Sequence, residues 1–214
     1  MSKKMSITLP ETLVKYYGDE AWHGSIESLL EAKPDKFPEH LKWEEQLHYH
    51  EAFLAAEVTR FDYHKAMWNL WQFCWGDGYR KIEKVVGEPK AKWDTFKELA
   101  PNAVWDEGLW REYSQDSDTA KYAMLGVDIG NDHLRVAIYV SAGGRKDTMD
   151  EHALRAILEG IPENTYEVFE DETVYLTHPS CRLGLKKDDG KAEFDVSELA
   201  EICTGVLDRL AKLK

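Results

Sequence analysis

The fold class follows from residues 122–140, which read YAMLGVDIGNDHLRVAIYV. Tyr122–Ile129 and Leu134–Val140 are rich in Val, Ile, Leu and Tyr, a composition that favours β-strands. Gly130–Asp132 separates the two runs, and Gly and Asn tolerate the positive φ angles that a tight hairpin turn requires. The stretch therefore predicts a β-hairpin.

Strands and helices alternate downstream of this hairpin. A helix is predicted over Met149–Leu158, and a second pair of strands over Tyr166–Phe169 and Val174–Thr177. In the last helix Asp195 is the predicted N-cap, and Glu198 completes a capping box. Apolar residues recur along that helix at intervals of three and four, which predicts a buried face. They are Val196, Leu199, Cys203, Val206, Leu210 and Leu213. The second half thus predicts the order β-β-α-β-β-α, a small, mainly antiparallel sheet covered by helices.

The first half has a helical pattern and contains all eight Trp residues. A long helix is predicted from about Leu41 to Trp75, where Gly76–Gly78 provides a stop signal. Residues 66–75 are apolar nearly all round, which is typical of a helix that is buried on most faces. We therefore place this helix at the centre of the helical half. Shorter helices are predicted near residues 19–32, 79–87, 90–99 and 105–113.

The Trp residues leave two interpretations open. Trp68, Trp71 and Trp75 share one face of the long helix, which forms either the core or a platform for a ligand or partner. The apolar surroundings favour the core. Other Trp residues lie in more polar stretches and are the predicted partner-binding residues, since exposed Trp is common at interfaces. These are Trp93, Trp105 and Trp110.

The composition changes near residue 115, where the polar stretch Ser114–Thr119 lies. We predict a helical domain over residues 1–115 and an α+β domain over residues 120–214. Because the junction is short, the same residues are also compatible with two lobes of one compact unit. The fold class is α+β in either case.

The charge and the termini exclude several classes of protein. The net charge of −13 is spread over both halves, so direct binding to the phosphate backbone of nucleic acid is not expected. No apolar run approaches the length of a membrane span, and the N-terminus lacks the apolar core of a secretory signal. Cys74, Cys181 and Cys203 form no paired motif, which indicates a reducing compartment. A soluble, cytoplasmic protein is therefore expected.

Residues 125–138 resemble the first phosphate-binding hairpin of the sugar-kinase, heat-shock and actin-like ATPases. The resemblance implies that Asp128 serves a metal ion and that Gly130 lets the backbone approach phosphate. It covers 14 of 214 residues, and no second phosphate or adenosine motif follows. A simple strand–turn–strand hairpin accounts for the same residues and is the interpretation we retain.

No catalytic motif is present. The sequence contains no Gly-x-Ser-x-Gly elbow, no Gly-Lys-Ser/Thr phosphate loop and no zinc-ligand spacing. Acid–base chemistry would depend on residues gathered from a distance, and His48, His50, His64 and Asp128 are the candidates. They define the alternative hypothesis of an enzyme with a site between the two halves, catalysing metal-assisted hydrolysis.

The first hypothesis for function is a non-catalytic protein-interaction module, such as an adaptor, inhibitor or chaperone-like regulator. It rests on the acidic surface, the abundance of aromatic residues and the lack of a catalytic motif. An acidic surface suits a basic partner, including one that itself binds nucleic acid. No cofactor and no metal ion are expected, and the sequence leaves the oligomeric state open.

Overall fold

The computed structural model describes residues 5–32, 42–76, 78–83, 97, 109–114, 122–130, 133–141, 151–168, 173–182 and 192–213. They form a mixed helical and β-sheet structure, which confirms the α+β prediction. The helices are α1 (Glu11–Gly18), α2 (Glu20–Ala32), α3 (Trp43–Trp71), α4 (Glu151–Leu158) and α5 (Ser197–Leu210). The strands are β1 (Ser6–Thr8), β2 (Leu109–Ser114), β3 (Tyr122–Gly130), β4 (His133–Ser141), β5 (Tyr166–Val168), β6 (Val174–Leu176) and β7 (Glu193–Asp195). None of these helices combines the length and hydrophobicity of a membrane span.

The main sheet is antiparallel, with the strand order β2-β3-β4-β6-β5. β3 and β4 pair along their whole length, from Tyr122 opposite Ser141 to Gly130 opposite His133. The predicted hairpin is therefore confirmed. The predicted pair of strands further along the chain corresponds to β5 and β6, which occupy the other edge of the sheet.

Three strands differ from the prediction. Residues 109–114 form β2, an edge strand on β3, where a helix over 105–113 was expected. Trp and Tyr favour strands, and the exposed edge of β3 offers a complete ladder of hydrogen bonds, so tertiary pairing overrides the helical pattern. β1 pairs with β7 in a separate two-stranded sheet, and β7 adds a strand before the last helix. The exact order β-β-α-β-β-α is therefore not confirmed.

One hydrophobic core joins both halves of the sequence. It contains Trp71 and Trp75, at 1% and 0% exposure, together with inward-facing residues of β3 and β4. Trp75 lies in a π-helical turn, Gln72–Gly76, that continues α3. Its indole Nε1 donates a hydrogen bond to the carbonyl oxygen of Gly126 in β3, at 2.9 Å. The core interpretation of this aromatic face is confirmed, and Trp68 packs on its margin.

The cysteines are free and buried, as an inert structural role requires. Cys203 in α5 is fully enclosed, and burial raises its pKa well above the ordinary thiol value; a hydrogen bond with Cys74 acts in the same direction. A thiol with a raised pKa remains protonated and unreactive near neutral pH.

The start of α5 corrects the predicted cap. Asp195 belongs to β7 rather than to an N-cap position, and the residue before the helix is Val196. The carboxylate of Asp195 still accepts a hydrogen bond from the backbone N–H of Ser197, at 3.1 Å. Glu198 forms no capping box and instead contacts His178. Pairing of β7 with β1 draws Asp195 into the strand, so tertiary structure displaces the local signal.

The predicted apolar face of α5 is buried, with Leu199, Cys203, Val206 and Leu210 at 0% exposure.

Replacing glycine by alanine should change the free energy of unfolding in opposite directions at two positions. Gly160, just after α4, has a φ of 76°, and no atom beyond its chain neighbours lies within 4 Å of the position that a Cβ would take. Gly160→Ala should therefore lower the free energy of unfolding by about 1–2 kcal/mol through backbone strain alone. Gly24 lies exposed inside α2, also in open space, so Gly24→Ala should raise it by about 0.5–1 kcal/mol. Urea unfolding measures both, and shifts of the same sign would contradict the assigned backbone at one of the two sites.

Candidate functional site

One side of α3 carries a row of large apolar side chains that are exposed to solvent. Trp43 is 74% exposed, Leu47 46%, Leu54 65%, Val58 43% and Phe61 48%. At 100° per residue, these five positions fall within about 60° of one another around the helix. We call them the α3 stripe. An exposed row of this size is uncommon in a protein that acts alone and is typical of an interaction surface.

The position of α3 in the fold explains the exposure. Ala56, Thr59, Tyr63, Met67 and Leu70 are buried, and their mean direction is about 180° from the α3 stripe. The helix has 29 residues, or about 43 Å, and no residue before Ala56 is fully buried. The main core therefore holds the C-terminal half of α3, and Ala56, midway along the helix, packs with Ile26 and Leu30 of α2.

Charged residues flank the α3 stripe unevenly. Glu44 and Glu51 are exposed beside its N-terminal half, and Lys65 is exposed at its C-terminal end. Arg60 lies further round the helix and is held by Glu57 at 2.7 Å. The N-terminal end is therefore acidic, and a partner with basic side chains around an apolar strip would complement it.

Asp128 lies in a buried ion pair. Its Oδ1 and Oδ2 accept hydrogen bonds from Nε and Nη2 of Arg135 at 2.6 and 3.0 Å, across the β3–β4 hairpin. The guanidinium also stacks 3.7 Å above the ring of Tyr175 in β6. Burial raises the pKa of Asp128, while the hydrogen bonds and charge of Arg135 act in the opposite direction. Both carboxylate oxygens are thus engaged by Arg135, which matches the hairpin interpretation better than the metal-binding role implied by the ATPase resemblance.

The candidate histidines occupy different environments. His48 is 80% exposed at its side chain and lies 3.4 Å from Glu51, and His50 is also exposed. His64 is buried, at 3% exposure. Sixteen residues of one helix separate His48 from His64, or about 24 Å along its axis. The structure therefore does not gather these histidines into one site.

Of the three predicted partner-binding residues, the structure describes only the backbone of one. Trp93 and Trp105 lie outside the described residues. Trp110 belongs to β2, where only its backbone is described. The exposed Trp that the structure shows is Trp43, which the sequence reasoning missed. The helical spacing of this residue with Leu47, Leu54 and Phe61 predicts one shared apolar side. The opposite side of α3 is apolar as well, so the spacing alone does not show which side is exposed.

A cavity of about 480 Å³ opens beside α5, entirely within the second half of the chain. Polar and apolar residues line it, including His178, Glu198, Glu201, Arg209, Ile161 and Thr165. His178 Nε2 contacts the carboxylate of Glu198, and Nδ1 lies 2.7 Å from Ser180 Oγ. Ser180 Oγ in turn donates to the carbonyl oxygen of Asp195, at 2.9 Å. A histidine held between a carboxylate and a hydroxyl has the arrangement of an acid–base group.

The surroundings of Cys181 indicate a structural role for this cysteine. Pro179–Cys181 form a 3₁₀ turn, and Cys181 is buried. Cys181 Sγ lies 3.7 Å from the carbonyl oxygen of Asp195. Within the part of the chain that the structure describes, no three His, Cys, Asp or Glu side chains are grouped as a metal site would require.

Comparison with protein-family models, with curated proteins and with solved structures finds no match to this chain. Its own residues therefore provide the evidence for function, and within the described part of the chain the α3 stripe departs most from an ordinary protein surface.

Proposed function

We propose that the protein is a non-catalytic protein-interaction module, of the adaptor, inhibitor or regulator type, that binds its partner through the α3 stripe. The observation that carries the proposal is the exposure of five large apolar side chains along one side of a single helix. Exposing Trp, Phe and Leu to water favours aggregation of a free protein. Such residues are typical of a surface that is covered in a complex, where Trp is also a frequent source of binding energy.

The acidic residues around the stripe support a basic partner. Glu44 and Glu51 are exposed beside its N-terminal half, and the chain as a whole carries a net charge of −13. An amphipathic helix with Lys or Arg beside its apolar residues would match this surface. Such a complex should weaken as salt screens the opposite charges.

Replacing Val58 by Glu tests the proposal. Val58 is exposed in the α3 stripe, so Val58→Glu should change the free energy of unfolding by no more than about 0.5 kcal/mol. It should nevertheless abolish recovery of a partner from an extract of the native host and weaken binding to that purified partner by at least about 30-fold. The matched control is Val168→Glu, the same change at 52% exposure on β5. Equal binding by both variants would contradict the proposed surface.

An enzymatic function is the second candidate, and the cavity beside α5 is the observation that favours it. His178 and Glu198 supply an acid–base pair there, and Arg209 supplies a positive charge. This site replaces the grouping of His48, His50, His64 and Asp128, which the described contacts do not assemble. A broad hydrolase screen of the purified protein, repeated with His178→Ala, tests it. Turnover that disappears in the variant would support an enzyme, and no turnover in either would count against it.

A further inference from the structure

We infer that the cavity beside α5 binds a short zwitterionic peptide of about three residues, with its ammonium group at Glu198 and Glu201 and its carboxylate at Arg209. The cavity volume of about 480 Å³ lies within the usual range for a small-ligand site. Binding there uses no residue of the α3 stripe and requires no reaction. The peptide site is therefore separate from the proposed interaction surface.

α5 provides one wall of the cavity and sets the order of its chemical groups. Glu198, Ile202, Gly205 and Arg209 all line the cavity. At 100° per residue they fall within about 60° of one another, so they form one row along the helix. The row has a carboxylate at one end, an apolar middle and a guanidinium at the other end. A ligand that fills the cavity therefore meets opposite charges at its two ends.

The first end of the cavity carries two carboxylates. Glu198 contacts His178 and is 68% exposed at its side chain, so this end opens to solvent. Glu201 also lines the cavity, and within the described residues it has no hydrogen-bond or ion-pair partner. Two carboxylates beside a single imidazole leave a net negative charge in either protonation state of the ring. This end therefore favours an ammonium group.

Arg209, at the other end, is oriented by α4. Its Nε donates a hydrogen bond to the carbonyl oxygen of Ile157 at 2.7 Å. Its two terminal nitrogens have no hydrogen-bond partner among the described residues. The neighbouring Asp208 is already paired with Lys81, also at 2.7 Å. An oriented guanidinium with unused N–H groups is well suited to bind a carboxylate.

The distance between the two ends sets the length of the ligand. Glu198 and Glu201 precede Arg209 by eleven and eight residues, or about 17 and 12 Å along α5. An extended chain of three residues spans about 10 Å, and each ion pair adds about 3 Å. A tripeptide therefore reaches both ends, whereas a single amino acid does not. Ile202 and Ile161 line the cavity between the ends and favour an apolar central residue.

Titration of the full chain with the tripeptide Ala-Leu-Ala, followed by ¹H–¹⁵N NMR, tests the site. The amide signals of Gly160 and Gly205, which line the cavity, should shift with a dissociation constant of about 10 μM to 1 mM. The N-acetylated and C-amidated peptides each lack one charge and should bind at least about 10-fold more weakly. Leucine alone should bind more weakly still. Signals that do not move up to about 10 mM Ala-Leu-Ala, or equal binding of the blocked peptides, would overturn the inference.

Substitutions assign the two ends. Glu201→Gln should weaken binding of Ala-Leu-Ala at least about 5-fold and should change binding of the N-acetylated peptide little. Arg209→Gln should do the same for the C-amidated peptide. The matched control is Glu11→Gln, which removes an exposed carboxylate from α1 and should leave binding unchanged. Glu201 has no partner that folding requires, so its variant remains informative if Arg209→Gln is unstable. Binding to Glu201→Gln with the wild-type affinity would overturn the proposed orientation of the peptide.

Discussion

Trp75→Ala should lower the free energy of unfolding by about 3–5 kcal/mol, the usual cost of removing a large aromatic side chain from a core. Trp75 is 0% exposed, and its indole N–H binds the carbonyl oxygen of Gly126 at 2.9 Å. The substitution leaves a cavity between α3 and the sheet and removes the donor for that carbonyl. Urea unfolding followed by circular dichroism measures the loss.

Two further variants test whether this loss of stability comes from the buried position and the hydrogen bond of Trp75. Trp75→Phe retains much of the volume but not the N–H, and should cost about 1–3 kcal/mol. Trp43→Ala removes the same side chain from a position that is 74% exposed and should cost no more than about 0.5 kcal/mol. Similar losses for Trp75→Ala and Trp43→Ala would contradict both the assigned core and the exposure of the α3 stripe.

Arg135→Met should cost about 3–5 kcal/mol near neutral pH, because it leaves the charge of Asp128 buried without its partner. The side chains of Arg135 and Asp128 are only 13% and 11% exposed, so water replaces the guanidinium poorly. The stacking of Arg135 on Tyr175 is lost as well. Thermal and urea unfolding at pH 7 measure the combined effect.

The cost of Arg135→Met should depend on pH with a definite sign. Burial already raises the pKa of Asp128, and loss of Arg135 raises it further. A carboxyl group whose pKa is higher in the folded than in the unfolded state favours folding below the unfolded pKa, which is about 4. That contribution is lost as the pH rises through the folded pKa. Arg135→Met should therefore be least destabilising near pH 4 and most destabilising above the folded pKa of Asp128.

The double variant Asp128→Asn/Arg135→Met provides the control for this titration. It has no carboxyl group at the site, so the difference in stability between pH 4 and pH 8 should match that of other groups in the chain. An equal loss for Arg135→Met at both pH values would mean that Asp128 does not carry a buried charge in the folded state.

Local signals account for the parts of the fold that the sequence predicts. The β3–β4 hairpin combines two strand-forming runs with a short turn, and α5 has a regular apolar face. β1 and β7 were missed because each has three residues and the partners lie almost the whole chain apart. β2 was missed because its pairing with β3, rather than its own pattern, determines its structure.

The sequence predicts less of the candidate site than of the fold. The sequence shows that Leu47, Leu54 and Phe61 are apolar, but not which side of α3 the core covers. Because residues 66–75 are apolar nearly all round, the sequence places α3 at the centre of the helical half, and this holds for Trp71 but not for Leu54. The contact of His178 with Glu198 likewise depends on how α5 packs beside the turn at Pro179.

Photo-cross-linking in cells of the native host tests the central claim most directly. A benzophenone amino acid in place of Leu54 lies in the α3 stripe, and the same amino acid in place of Val168 provides an exposed control on β5. We predict a light-dependent adduct of discrete mass at position 54 and none at position 168. A mass of two chains would indicate self-association, and another mass would identify a different partner. The lack of any adduct at position 54, with the protein folded and expressed at its normal level, would contradict the claim that the α3 stripe is a binding surface.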